Sequence, residues 1–220
     1  MRIAVIGSGS VGSGLARGWS AAGHSVVIGS RSPESERVTA LVAEIGNGVE
    51  AATPPGSVAD ADVIVLAVPW SAVEESISSL GDVSGRVFID ATNPFVRGLN
   101  LALGHKWSGG EQVAEWASGA RVVKALNVVD SRLLAGGALD GRQLDGREIS
   151  IPIAGDDADA KQVASKLISD LGFDVVDAGA LESSRLLEPL ALLMIRLSMK
   201  KSLGAEIGFR VLRESRATFD

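Results

Sequence analysis

Ile3-Ala4-Val5-Ile6-Gly7-Ser8-Gly9-Ser10-Val11-Gly12 opens the chain and decides its architecture. Four apolar residues run together and stop at glycine. A run without polar alternation reads as a strand covered on both faces, as in a parallel sheet. The G-x-G-x-x-G that follows is a weak signal alone. Directly after a buried strand and ahead of a helical stretch, it stands in the context that dinucleotide binding requires. Gly7 permits the tight turn, Gly9 lets a pyrophosphate approach the backbone, and Gly12 allows close packing of helix on sheet. The helix start offers unpaired N–H groups to phosphate oxygens, so Ser8, Ser10 and Val11 join the glycines as candidate binding residues.

The next strand, Ser25 to Ile28, carries the specificity. A site for the non-phosphorylated dinucleotide normally ends this strand with Asp or Glu, which holds the ribose hydroxyls. Here it ends Gly29-Ser30-Arg31-Ser32, with no carboxylate before Glu34. Arg31 can pair with a 2′-phosphate, Ser30 and Ser32 can donate to it, and a carboxylate there would have repelled it. The expected cofactor is NADP(H) rather than NAD(H).

Further apolar runs, at Val63 to Val68, Val87 to Asp90, Val122 to Ala125, Ile149 to Ala154 and Phe173 to Asp177, alternate with stretches of helical spacing. Val11, Leu15, Trp19 and Ala22 share one face, as do Val38, Leu41, Val42 and Ile45, and later Val163, Leu167, Ile168 and Leu171. The pattern predicts an α/β fold, a Rossmann-type doubly wound, mostly parallel sheet with right-handed crossovers. Two segments break the rhythm. Val96 to Gly119, rich in glycine and polar residues, is expected to be an irregular ligand loop beyond a strand end. Leu181 to Leu203 is an apolar helix interrupted by Pro189 and falls after the last strand. The domain reading is an NADP-binding unit over 1–180 and a small C-terminal helical lobe over 181–220, serving as acceptor pocket or dimer contact.

Ligands of open α/β sheets lie beyond the carboxyl ends of the strands. Three more such ends carry unusual residues: Ala67-Val68-Pro69-Trp70, Asp90-Ala91-Thr92-Asn93-Pro94 and Lys124-Ala125-Leu126-Asn127. Each alone reads equally well as turn chemistry. Converging on one edge, they nominate Ala67, Val68, Pro69, Trp70, Asn93 and Asn127 for the ribose and nicotinamide. Asp156 or Asp157 is expected to cap a helix rather than hold a metal. His24 reads as a turn residue and His105 as a solvated loop residue. No nucleophile–base pair, paired-carboxylate motif or metal-ligand spacing stands out. The 220 residues, 46% hydrophobic and 22% charged, suffice for one α/β unit with an appendage. A net charge of -6 leaves no broad basic face, so neither nucleic acid nor a membrane surface is an expected partner. The absence of cysteine removes disulfides, thiol catalysis and thiolate metal sites. The N-terminal apolar run is too short for a signal peptide, and a cytoplasmic location is expected.

Taken together, Gly7 to Gly12, Val27-Ile28-Gly29-Ser30-Arg31, Ala67-Val68-Pro69-Trp70, Lys124-Ala125-Leu126-Asn127 and Ala154-Gly155-Asp156-Asp157 resemble the NADPH-dependent reductases of the deazaflavin coenzyme F420. The reductase domains of the STEAP metalloreductases are similar too. The resemblance continues through Asp177-Ala178-Gly179 and Ser183-Ser184-Arg185-Leu186-Leu187-Glu188. It implies direct hydride transfer between C4 of the nicotinamide and C5 of a deazaflavin or flavin ring. That chemistry needs two stacked rings shielded from water and no obligatory nucleophile or metal, so no catalytic side chain is expected. The resemblance implies Gly9, Ser10, Val11 and Gly12 at the pyrophosphate, and Ser30, Arg31 and Ser32 at the 2′-phosphate. It puts Pro69, Trp70, Asn93 and Asn127 near the nicotinamide ribose. The apolar C-terminal helix, with Leu190, Met194 and Leu197, would line the pocket of a small-molecule electron acceptor, coenzyme F420 or a flavin, within a homodimer. Two departures stand out: Ser32 replaces a second basic residue, and Asn127 replaces a histidine of the archaeal-type enzymes. Two alternatives stay open. One is an NADP-dependent dehydrogenase of another small molecule, for which about forty residues after the last strand are few and Lys200 and Lys201 are not marked out. The other is an NADP(H)-sensing binding protein without turnover.

Overall fold

Ile3, Ala4 and Val5 have no exposed surface, and that decides where their strand sits. In a computed structural model, which describes residues 1–134, 143–144, 147–200, 203 and 206–212, β1 (Arg2–Ile6) lies inside an eight-stranded sheet. It is followed by α1 (Ser10–Ala21), β2 (Ser25–Gly29), α2 (Glu36–Ile45), β3 (Glu50–Ala52), α3 (Pro54–Val58), β4 (Val63–Leu66), α4 (Val73–Ser78) and β5 (Val87–Asp90). A short antiparallel pair, β6 (Phe95–Val96) and β7 (Asn100–Leu101), leads to α5 (Gly109–Trp116), β8 (Arg121–Lys124) and α6 (Ser131–Leu134). A second pair, β9 (Gln143–Leu144) and β10 (Arg147–Glu148), precedes β11 (Ser150–Gly155), α7 (Ala158–Asp170), β12 (Asp174–Asp177) and α8 (Ser184–Ser198). The strand order is β12-β11-β8-β5-β4-β1-β2-β3.

From β3 to β8 every pairing is parallel. The reversal of winding between β1 and β4 opens the crevice in which α/β sheets bind ligands. Helices cover both faces. On one, Leu15 and Trp19 of α1 meet Leu167 and Ile168 of α7, and the Trp19 Nε1 donates to the Leu167 carbonyl at 2.9 Å. On the other, Val58, Val73, Ile77 and Val113 of α3, α4 and α5 close over Ile64, Leu66 and Phe88. Among the described residues, no helix is long and apolar enough to cross a membrane.

Two expectations need correction, and the mostly parallel sheet has one exception. β11 runs antiparallel to β8, with Ala154 opposite Lys124, so the sheet reverses at one end. An apolar run has the same composition in either direction and cannot reveal this. The segment Val96 to Gly119 is not irregular: it holds β7 and α5. Ser108 caps α5 by accepting from the Glu111 N–H at 3.1 Å, while Glu111 accepts from the Ser108 N–H at 2.9 Å, a reciprocal capping box. Pro189 does not interrupt α8, which runs through it. A proline this early in a helix forfeits one N–H, the one that would meet the Arg185 carbonyl. The helix lies against α5, burying Leu187, Ala191 and Met194, while Leu186 and Leu193 stay exposed. Asp157, rather than Asp156, caps α7 by accepting from the Ala160 N–H at 2.7 Å. Lys201 lies outside the described residues.

Candidate functional site

The loop after β1 requires its glycines. Gly7 has φ +116°, and a Cβ there would come within 2.5 Å of the Ala67 carbonyl oxygen. Its own N–H donates to the Gly29 carbonyl at 3.0 Å, which ties the loop to the end of β2. A Cβ on Gly12 would overlap the Gly7 carbonyl oxygen. Gly9 differs: a Cβ there would meet nothing within 4 Å. It is the exposed N-cap of the twelve-residue α1 and brings no side-chain cap, so the first N–H groups of that helix face the cleft without a side-chain partner.

A cleft of about 560 Å³ opens above this loop, lined by Gly7, Ser8, Gly9, Ser30, Arg31, Ser32, Val68 and Pro69 among others. Nine of the sequence-nominated residues, Ala67 among them, therefore line one cleft. Two charged residues that sequence reasoning missed line it too. Arg37, at the second position of α2, donates from Nη2 to the Ser8 Oγ at 2.7 Å and from Nη1 to the Ser8 carbonyl at 3.2 Å. Glu75 of α4 stands 3.8 Å from the Arg31 guanidinium across the cleft, with both side chains mostly exposed. Such an open pair holds weakly and exchanges readily for a better anion.

Trp70 is not among the cleft's lining residues. It packs on Trp116 of α5, with ring centroids 5.6 Å apart. Asn93 and Asn127 meet at the ends of β5 and β8. Asn127 Nδ2 donates to the Asn93 Oδ1 at 3.1 Å and to the Leu187 carbonyl at 3.2 Å, and Asn93 Nδ2 donates to the Asn127 carbonyl at 2.9 Å. Asn127 is buried, and its Oδ1 accepts no hydrogen bond among the described residues. The residue before it, Leu126, is buried with φ +64°, a left-handed conformation that is unusual for so bulky a side chain. Strain of this kind collects where a structure must aim a functional group.

Beneath the asparagines lies a buried ion cluster. Lys124 Nζ donates to the Asp90 Oδ2 at 2.9 Å and to the Thr92 carbonyl at 2.7 Å, and stands 2.9 Å from the Glu188 Oε1. Burial alone would pull the Lys124 ammonium down, but the Asp90 and Glu188 carboxylates outweigh it and hold its pKa above the ordinary lysine value. Glu188 arrives from α8 and accepts from the Gly109 and Gly110 N–H groups at 3.0 Å each, at the start of α5. The sequence quoted Asp90, Lys124 and Glu188 only as neighbours of strand ends and of a helix.

The remaining residues stand apart. His24 Nε2 lies 3.0 Å from the Asp170 carboxylate, tying the start of β2 to α7, and His105 is exposed. Met194 is buried, while Leu190 and Leu197 are half-buried. Glu111 receives Arg185 through two bonds of 2.9 and 2.6 Å. Burial pushes the Glu111 carboxyl up, but Arg185 and Ser108 outweigh that and hold it below the usual carboxylate range. Its contribution to stability is therefore present above the ordinary carboxylate pKa and lost as pH falls through the lowered value. Glu111→Gln is expected to lower the thermal midpoint at pH 7 and to flatten the decline below about pH 4, measured by circular dichroism.

The family profile described as NADP oxidoreductase coenzyme F420-dependent matches residues 2–94. The F420-dependent NADP reductase of Methanothermobacter thermautotrophicus is 34% identical over 91% of this chain and 90% of its own. The chain belongs to the F420-dependent NADP reductase family. A solved member, described as a putative F420-dependent NADP reductase from Arthrobacter, superposes with a TM-score of 0.86 over 97% of this chain and all of its own, at 30% identity. The rat metalloreductase STEAP3 is 31% identical over 88% of this chain, which spans 37% of that longer protein.

Proposed function

We propose that this family member transfers a hydride between NADP(H) and a deazaflavin or flavin-type acceptor. Membership in an NADP reductase family supports the reaction class, and one observation carries the cofactor choice. Arg31 and Arg37 flank the same cleft end, beside Ser30 and Ser32, and no carboxylate terminates β2. Arg31 exchanges Glu75 for the 2′-phosphate, and Arg37 supplies the second cation that Ser32 does not.

The chain's own groups fit the dinucleotide from end to end. The space above Gly9 has room for the pyrophosphate, and the N–H groups of Ser10, Val11 and Gly12 meet its oxygens. Val68 and Pro69 form the floor beneath the linking ribose. Asn93 and Asn127, joined through the Asn127 Nδ2 bond to the Asn93 Oδ1, stand at the ends of β5 and β8 on the nicotinamide side. NADPH, when bound, supplies the hydride. The protein orients the ring and excludes water. The helical lobe from residue 181 onward, including the half-buried Leu190 and Leu197, lines the acceptor's side in a homodimer.

The test mixes the protein with NADPH and oxidised deazaflavin coenzyme, with FMN in parallel, and follows each acceptor's absorbance. Transfer to one of them is expected. NADPH binding without transfer to either would overturn the acceptor reading and leave a sensor or another substrate. Arg31→Ala and Arg37→Ala are each expected to weaken NADPH binding roughly ten- to hundredfold. Arg31→Ala should leave NADH binding unaffected, as titration of cofactor fluorescence would reveal.

A further inference from the structure

The Asp90–Lys124–Glu188 cluster brings two carboxyl side chains to one ammonium, an uneven charge count. The Asp90 Oδ1 accepts from the Thr92 N–H at 2.8 Å and the Thr92 hydroxyl at 2.7 Å, and its Oδ2 accepts from Lys124. The Glu188 Oε2 accepts from the Gly109 N–H, and its Oε1 accepts from the Gly110 N–H and faces Lys124. In each of these contacts the Asp90 and Glu188 oxygens accept, the pattern of two carboxylates facing one ammonium. Lys124 answers with one positive charge. The three side chains are at most 2% exposed. The result is one net negative charge sealed under the carboxyl ends of β5 and β8. A Cβ on Gly109 would come within 2.9 Å of the Glu188 Oε1, so this side-chain-free pair of glycines admits the second carboxylate.

A dinucleotide spanning the crevice puts its adenosine half over β1 and β2 and its other half over β4, β5 and β8. The charged cluster underlies that second half: Asp90 leads directly into Thr92 and Asn93, and Lys124 precedes Asn127 by three residues. The oxidised nicotinamide ring is cationic and the reduced ring is neutral. We infer that the buried net charge of Asp90, Lys124 and Glu188 sets the balance between the two cofactor states, favouring NADP⁺ over NADPH and thereby favouring hydride donation by the bound cofactor. The inference rests on the cofactor reading above. Asp90 and Glu188 are positioning residues here, acting through the field they create.

The experiment measures dissociation constants of NADP⁺ and NADPH by titration calorimetry for the native protein, Glu188→Gln and Asp90→Asn, with no acceptor present. Each variant keeps the shape and most hydrogen bonds of its site and removes the excess charge. The ratio of NADP⁺ to NADPH dissociation constants should rise about three- to tenfold in either variant, because a buried unit charge is weakly screened. The rise should persist at high salt. A ratio unchanged in a folded variant, with both affinities falling together, would make the cluster a structural brace and overturn the inference. If neither variant folds, the native protein still decides. Native protein that binds NADPH ten times more tightly than NADP⁺, or more, contradicts a charge favouring the cationic ring. Should NAD⁺ and NADH prove the pair that binds, the 2′-phosphate reading has failed, and the same ratio is read on that pair.

Discussion

Gly12→Ala is expected to lower stability by about 2–4 kcal/mol and to reduce cofactor affinity by about two orders of magnitude. The added methyl would occupy the position of the Gly7 carbonyl oxygen, and that oxygen has nowhere to go. Gly7 is held at φ +116°, its N–H is bonded to Gly29, and its α-carbon lies against the Ala67 carbonyl. Relief must come from lifting α1 off the sheet, which exposes Leu15 and Trp19 and moves the helix N-terminus away from the phosphates. Gly9→Ala separates the two consequences. No protein atom lies near that Cβ, so stability should hold within about 1 kcal/mol while affinity falls. Urea denaturation and cofactor titration of both variants provide the check. Gly9→Ala binding at full affinity would remove the pyrophosphate from this loop.

Lys124→Met is expected to cost about 3–5 kcal/mol in urea denaturation at pH 7. Methionine fills the space but strands Asp90 and Glu188 as buried carboxylates without a counter-charge. The triple variant Asp90→Asn, Lys124→Met, Glu188→Gln should recover much of the loss, since it removes the stranded charges along with their partner. A triple variant no better than the single would mean that packing dominates. In the native protein the Lys124 pKa is raised. The stability that Lys124 contributes is thus complete below the ordinary lysine value and is lost only as pH climbs through the higher one. It should therefore not vary with pH near neutrality.

The strands and the first phosphate loop were legible because they obey local rules: an apolar run, a glycine spacing and an adjacent helical period. The same locality explains what escaped notice. The direction of β11 depends on where the chain re-enters the sheet, which composition cannot report. Arg37 and Glu75 reach the cleft from two different helices, and only folding brings them beside Ser8 and Arg31. Glu188 sits inside a run of leucines, and nothing local marks it; its partners are the backbone of Gly109 and Gly110 and the side chain of Lys124. The helix α5 was within reach of sequence reasoning. Ser108 and Glu111 have capping-box spacing, but the two glycines between them read as loop. Those glycines are there because side chains would collide with Glu188 and Ser184.

The ion cluster also dictates an order of assembly. Asp90 and Lys124 are separated by 34 residues and lie on neighbouring strands, so they can pair once β5 and β8 have joined. Glu188 comes from α8, which follows β12 in the chain. Until α8 docks, the start of α5 lacks the carboxylate that caps Gly109 and Gly110, and Lys124 has one of its two carboxylate partners. With α8 undocked, the centre lacks Glu188 and stands open on the side of α5. Docking of this helix thus acts as a seal over the ends of β5 and β8.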